Sequence, residues 1–358
     1  MAITLSDEQL TAVSHIRYFL ADDSRQIFTL HGLAGTGKTT ILANIADRYE
    51  DVLLCTLTGK AASVLRKKTS LPAMTVHAAF YKLRGEERDK KGKIRPIFKE
   101  AHDVLELRNE VLLLDECSMI SEKIAADILR TGVKVVACGD PGQLPPVDGV
   151  QFFNKPDFTI STIHRQALES PIIRQAHAIR SGANYGEDGE NFRVCRPGQL
   201  SEQDKRDADI VLCWTNKTRQ AVNRHMREIR GFSMMPHPQV GEPVLCLKNA
   251  PDYGIFNGGL YDLLEPFYEG DTTIKLNVDG VAVEVPNVNF HGLKSGLPNN
   301  TDVTTYFDFG YALTVHKAQG SEWDKVILID EYRRQEDRQK WLYTGITRAA
   351  EKITIIRA

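Results

Sequence analysis

A chain of 358 residues exceeds one ordinary domain, and 42% hydrophobic with 26% charged residues suits a protein that buries real cores. The net charge of −2 excludes a global field drawing the molecule onto a polyanion, so any nucleic-acid surface has to be a local groove. Six scattered cysteines without a Cys-x-x-Cys pair, no basic–apolar–small leader pattern and no apolar run near about 18 residues predict free, buried thiols in a cytoplasmic protein without a membrane segment.

In chain order, Ser6 is a helix cap, with Leu10, Val13, Ile16 and Leu20 on the apolar face of an opening helix and Gln9 in its first turn. A strand over Ile27–Leu30 runs into a glycine-rich stretch from Gly32, and a helix starts at Lys38. Short apolar strands recur at Val52–Cys55, Val111–Leu114 and Val133–Cys138. Unbroken apolar runs separated by helices predict an α/β domain over residues 1–150, its parallel sheet covered on both faces. Within it, Lys82–Glu100 carries eight Lys/Arg against four Asp/Glu around Gly85 and Gly92, the pattern of a basic hairpin or loop.

A second α/β domain is expected over 151–230 and 306–358. Its elements are a strand at Asp209–Cys213, a helix over Lys217–Ile229, a strand at Lys325–Ile329 and a last helix and strand. Between the halves, at 231–305, the period changes to two. Ile274, Leu276 and Val278 alternate up to Asp279-Gly280, and Val281, Val283 and Val285 alternate away, which predicts a hairpin in an inserted β-domain.

The segment Gly32-Leu33-Ala34-Gly35-Thr36-Gly37-Lys38-Thr39 fits the phosphate-loop pattern G-x-x-x-x-G-K-S/T, and it lies between a predicted strand and a predicted helix. Backbone N–H groups from Gly35 to Thr40, through Thr36 and Gly37, are expected to close around the phosphates of ATP at a helix N-terminus. Lys38 neutralises the outer phosphates and Thr39 offers a hydroxyl to Mg²⁺. The apolar strand ending in Asp115-Glu116 supplies a second Mg²⁺ ligand, Asp115, and a residue, Glu116, to orient or deprotonate the attacking water. Asn216-Lys217-Thr218 lacks the acid of a GTPase base-reading motif, so that class fails.

Further motifs follow in a fixed order. They are Leu5–Gln9, the phosphate loop, Thr56–Ala62, Thr75-Val76-His77, Asp115-Glu116, Gly139–Val147, Ile163–Gln166, Thr215-Asn216, Tyr311–Asp324 and Trp341–Glu351. In this order they resemble a superfamily 1 helicase of the RecD-like and Dda-like group, and the resemblance covers nearly the whole chain. It implies two RecA-like P-loop domains with a small SH3-like β-domain at 231–305.

Carried over position by position, the resemblance implies that Gln9 reads the adenine edge and Gln143 senses the γ-phosphate. Arg165 and Arg348 resemble arginine fingers, and Glu322 matches a ribose contact. Thr56, Thr58, Thr75, His77, Thr215, Asn216, Thr314, His316 and Lys317 match the strand-binding positions; hydroxyls, amides and cations hold phosphates without reading sequence. Phe80 is either a base-stacking ring or a core aromatic, and 82–100 falls where relatives carry a strand-separating pin.

The implied activity is ATP-dependent DNA unwinding with 5′ to 3′ travel, by a monomer acting on single-stranded and forked or tailed duplex DNA. Single-strand-binding, replication or recombination proteins are the expected partners. A translocase that strips proteins without unwinding, and an ATP-gated binding module, are the competing readings.

Overall fold

The computed structural model describes residues 5–49, 51–69, 71–88, 94–100, 111–146, 149–163, 169–232, 234–247, 250, 253–278, 280–286, 288–290 and 305–357. The chain divides into two compact units, 1–167 and 168–358. No helix among the described residues is long and apolar enough to cross a membrane.

The first unit opens on α1 (Asp7–Ala21). Ser6 Oγ accepts from Gln9 N, and Gln9 Oε1 accepts from Ser6 N, a reciprocal cap that satisfies two orphan donors. The buried stripe of α1 is Ala12, Val13, Ile16 and Phe19, while Leu10, assigned to the apolar face, is 50% exposed. Then come β1 (Ile27–Gly32), α2 (Lys38–Ala46), β2 (Val52–Thr56), α3 (Gly59–Thr69), β3 (Ala73–Thr75) and α4 (Val76–Phe80). The antiparallel pair β4 (Tyr81–Arg88) and β5 (Ile94–Glu100) forms a separate hairpin over the basic segment. β6 (Val111–Leu114), α5 (Glu122–Leu129), β7 (Lys134–Gly139) and β8 (Phe158–Ile160) complete the unit.

The main sheet is parallel, in the order β3-β2-β6-β7-β1-β8. Both faces are covered. Leu30, Leu113, Val136 and Cys138 pack with α1 and α2, whereas Leu112, Leu114, Val135 and Ala137 pack with Phe80 and Ile128 from α4 and α5. β8 pairs with β1, so this unit runs past residue 150, where the sequence places its end. The reason is that a three-residue edge strand carries no periodicity to read.

The second unit contains α6 (Pro171–Arg180), β9 (Phe192–Cys195), α7 (Glu202–Arg206), β10 (Ile210–Cys213) and α8 (Asn216–Ile229). Next come β11 (Pro243–Cys246), β12 (Leu260–Leu263), β13 (Thr273–Val278), β14 (Val281–Pro286), β15 (Val288–Phe290) and β16 (Thr305–Phe309). β17 (Ala312–Thr314), β18 (Trp323–Asp330), α9 (Arg338–Ile346) and β19 (Ala349–Arg357) end it. A parallel sheet in the order β17-β10-β18-β19-β9 is joined by a second sheet, β14-β13-β12-β11-β16-β15, which is antiparallel except at β15–β16. The inserted sheet therefore extends through Phe309, past the 305 read from the sequence. In the hairpin, Val278 pairs with Val281, and Ile274, Leu276 and Val285 are buried as their alternation requires.

One continuous apolar core runs from Val211 and Ile327 of the parallel sheet to Val244, Leu276 and Phe307 of the insert. Beside it, α8 turns a polar stripe inward. Arg219, Asn223 and Arg227 are spaced i, i+4, i+8 and all are buried. Arg227 is bidentate on Glu242 at 2.7 and 3.0 Å, donates to the carbonyls of Met235 and His237, and lies 4.1 Å from the Phe309 ring centroid. Asn223 bridges the Phe309 carbonyl and the Ala312 N–H, and Arg219 reaches Asp308 at 2.7 Å. Desolvated charges such as Arg227 and Glu242 persist only when so well paired, whereas Arg219 Nη1 and Asp308 Oδ2 lack a hydrogen-bond partner among the described residues despite their ion contact. Removing the Glu242 charge strands Arg227: Glu242→Gln is expected to cost about 3–5 kcal/mol by urea denaturation, and a cost under about 1 kcal/mol would refute the central place given to this pair.

Candidate functional site

In the first unit, every strand bearing a predicted motif ends on one edge of the sheet. The parallel registers align Thr56 with Thr75, Cys55 with Leu114, Leu114 with Ala137 and His31 with Gly139. The phosphate loop, Thr56, Thr75, Asp115 and the turn after Gly139 are thereby gathered without any one being adjacent in sequence.

The loop between β1 and α2 closes at Gly37, which caps α2 at φ 78°, a left-handed conformation that favours glycine. Lys38 Nζ lies across the loop, donating to the carbonyls of Gly32 (2.8 Å) and Leu33 (3.0 Å). Thr36 is fully buried, whereas Gly35 is exposed and Thr40 half-buried. Gln9 is 2% exposed and its Nε2 donates to the Thr36 carbonyl at 3.1 Å, so it ties the cap of α1 to the loop.

Thr39 Oγ1 donates to Asp115 Oδ2 at 3.0 Å, and Asp115 Oδ1 accepts from Glu116 N at 2.9 Å. A hydroxyl and a carboxylate converging at this point are the hard oxygen donors that fit Mg²⁺. Glu116 is the one non-glycine with positive φ (56°) among the described residues. Such strain persists only where the surroundings over-determine it, and it gathers at working sites. The neighbouring packing supplies that constraint: a Cβ on Gly139 would lie 2.5 Å from Cys117 Sγ and 3.3 Å from Ser118 N. Burial, with the charges of Asp115 and Glu116, pushes the Cys117 thiol up, so it packs as a neutral group.

After Gly139, Asp140 Oδ1 accepts from Gly142 N at 2.8 Å and shapes the turn that carries Gln143. Gln143 is 5% exposed, and its Oε1 has no hydrogen-bond partner among the described residues. A buried acceptor in that condition awaits a donor. Arg165 lies outside the described residues.

The other predicted residues of this unit are mixed. Thr56 is 1% exposed and donates to the Thr58 carbonyl; Thr58 Oγ1 accepts from Ala61 N, and Thr75 caps α4 through Ala78 N. His77 is half-buried, stacked on Tyr81 at 5.3 Å, and burial holds its pKa below the ordinary histidine value. Phe80, 2% exposed, packs among Cys55, Leu112 and Leu114; of its two readings, burial favours the core aromatic over the base-stacking ring.

In the second unit the same edge rule gathers Thr314, the residues after Cys213 and the residues after Asp330. Thr314 is 8% exposed, His316 half-buried, and Lys317 and Asn216 exposed. Burial lowers the His316 pKa, with Asp337 opposing and Arg334 reinforcing that shift. Thr215 caps α8 through Thr218 N. Glu331, which sequence reasoning missed, accepts from Trp214 N, Thr215 N and Thr218 Oγ1, and its separation in sequence left no local signal. Arg348 is 6% exposed and donates to Thr344 O, Ser321 O and Thr347 Oγ1, joining the loop before exposed Glu322 to the end of α9.

A family model described as an AAA domain matches residues 4–192, more than half of the chain. The chain belongs to the AAA domain family. Within this AAA-domain protein, residues 309–356 match the UvrD-like helicase C-terminal domain.

Similar proteins include the ATP-dependent RecD2 DNA helicase of Deinococcus radiodurans, 28% identical over 97% of this chain and 48% of that protein. The RecBCD enzyme subunit RecD of Mycolicibacterium smegmatis is 24% identical over 94% of this chain and 69% of its own length. A probable conjugal transfer protein TraA of Sinorhizobium fredii is 25% identical, with 90% of this chain covering 30% of it. The chain thus spans about half or less of several of the relatives it matches. In fold it is similar to Bacteroides Pif1 bound to ssDNA, at TM-score 0.67 and 21% identity, covering 99% of this chain and 92% of that one.

Two measurements test this geometry. Gly139→Ala is expected to lose about 1–3 kcal/mol to overpacking, most of it restored by adding Cys117→Ala; no loss in urea melts would contradict the close approach. Glu8 in α1 accepts from Ser161 N, Ser161 Oγ and Thr162 N; partial burial opposes its charge, but these bonds outweigh it and hold the pKa at about 2 against 4.5. A depressed folded pKa gives stability present above the unfolded value and lost as pH falls. The advantage of wild type over Glu8→Gln should therefore shrink between pH 4.5 and about 2 in thermal melts, and an advantage that stays constant would count against the clamp.

Proposed function

We propose that this protein is an ATP-dependent DNA helicase that translocates on single-stranded DNA in the 5′ to 3′ direction, with two RecA-like motor domains and an SH3-like inserted β-domain. The observation that carries the reading is the Thr39–Asp115 contact beneath the phosphate loop, with Glu116 held in a strained conformation beside it.

In this reading Thr39 and Asp115 hold Mg²⁺, which neutralises charge on the phosphate oxygens when bound. Lys38 and the loop N–H groups from Gly35 to Thr40 bind the phosphates, Glu116 orients and deprotonates water, and the unpaired Gln143 Oε1 accepts a hydrogen from that water. Gln9 is assigned to the adenine edge and Glu322 to the ribose. Arg165 and Arg348 serve as arginine fingers, for which Arg348 has to exchange its bond to the Ser321 carbonyl for a phosphoryl oxygen.

Thr56, Thr58, Thr75, His77, Thr215, Asn216, Thr314, His316 and Lys317 form the strand track, and the basic hairpin of β4 and β5 is the strand-separating pin. Work in replication, recombination or repair, as a cytoplasmic monomer, fits this assignment. The translocase reading differs only in lacking independent unwinding.

ATP hydrolysis measured with and without single-stranded DNA is the deciding experiment. Strong stimulation is expected, falling about a hundredfold or more in Glu116→Gln. A rate indifferent to DNA would remove the motor reading. Unwinding of 5′-tailed but not 3′-tailed duplex is expected next, and activity on 3′ tails alone would reverse the polarity.

A further inference from the structure

Trp214 follows β10, in which Ile210, Val211, Leu212 and Cys213 are all buried, yet Trp214 itself is only partly buried. Leaving part of an indole in water at a packed sheet edge forgoes burial energy that the next turn of chain could have claimed. The ring is nonetheless fixed. It packs tilted against Tyr332, at 4.8 Å between centroids and 57°, and Tyr332 stacks at 5.2 Å and 17° on fully buried Trp341. The Trp214 backbone N–H donates to Glu331 Oε1 at 2.8 Å. The result is a ladder of rings running from the core to the surface, with its outermost member rigid before any ligand arrives.

Its surroundings specify the ligand. β10 lies between β17 and β18, so at the carboxyl edge Trp214 has His316-Lys317 on one side and Tyr332-Arg333-Arg334 on the other. Lys317, Arg333 and Arg334 are exposed. Of the acids here, Glu331 is engaged by Trp214, Thr215 and Thr218, Asp337 faces His316, and exposed Glu336 lies near Tyr332, leaving Lys317, Arg333 and Arg334 as the cationic flanks. An aromatic plate between cations suits a flexible polyanion that carries flat rings: phosphates to the basic flanks, a base on the indole.

We infer that Trp214 is a base-stacking platform on the second unit, gripping one base of the single strand without regard to sequence. This rests on the proposed strand track and adds to it a residue that grips bases rather than phosphates. Every base has a π-face, so such a grip does not hinder travel.

The test measures binding of the whole chain to oligodeoxythymidine by fluorescence anisotropy, with intrinsic tryptophan emission followed in parallel. Trp214→Ala should bind about tenfold more weakly, the scale of one lost base–aromatic stack, while its thermal melt stays cooperative. Trp214→Phe should keep most of the affinity but lose the quenching of tryptophan emission that wild type displays on binding. Against an abasic oligonucleotide of equal length, wild type and Trp214→Ala should bind alike. Affinity of Trp214→Ala equal to wild type, or undiminished quenching in Trp214→Phe, would overturn the inference while leaving the motor reading intact. Absence of any binding by wild type would overturn both.

Discussion

In a parallel sheet every strand ends on the same edge, and this constraint organises both units. Crossovers, most of them through helices, return the chain to the far edge between strands, so residues far apart in sequence arrive side by side at the carboxyl ends. In the first unit this brings the phosphate loop after β1 to the same edge as Asp115 after β6, close enough for Thr39 and Asp115 to share a hydrogen bond. In the second it brings Thr314, Trp214 and Glu331 to one edge from three different strands. The chemistry of each site is a by-product of how the hydrogen-bonded ladder is wound.

Rigidity at those edges comes from different sources. Beside Glu116, whose N–H is held by Asp115, Gly139 and Cys117 pack so closely that a Cβ on Gly139 would meet Cys117 Sγ. The α8 end is held by charge. Glu331 secures the N-terminus of α8, and farther along the helix Arg219, Asn223 and Arg227 lock the insert against it. The Thr215 cap and the inserted sheet are therefore joined by one helix, with a shared apolar core beneath.

Much of this was legible in the chain itself. The phosphate loop, the apolar strand before Asp115 and the period-two hairpin at β13 and β14 are local patterns, written in residues that are neighbours. What escaped was short or long-range. β3, β8, β9 and β17 have three or four residues each, too few to display a period. The inward polar stripe of α8 was hidden because a helix with Arg219, Asn223 and Arg227 on one face reads as solvated until Glu242 and Asp308 are known to meet it. Phe80, left open between base platform and core, was placed by tertiary burial.

By itself, the sequence determined the longer helices and strands and the phosphate-loop pattern, because capping, strand periodicity and the loop depend on contacts within a few residues. The tertiary structure alone decided which side chains end buried, which acid satisfies which helix cap, and which aromatic ring stays at the surface. Those outcomes depend on strand order and register, and no local window of sequence contains either.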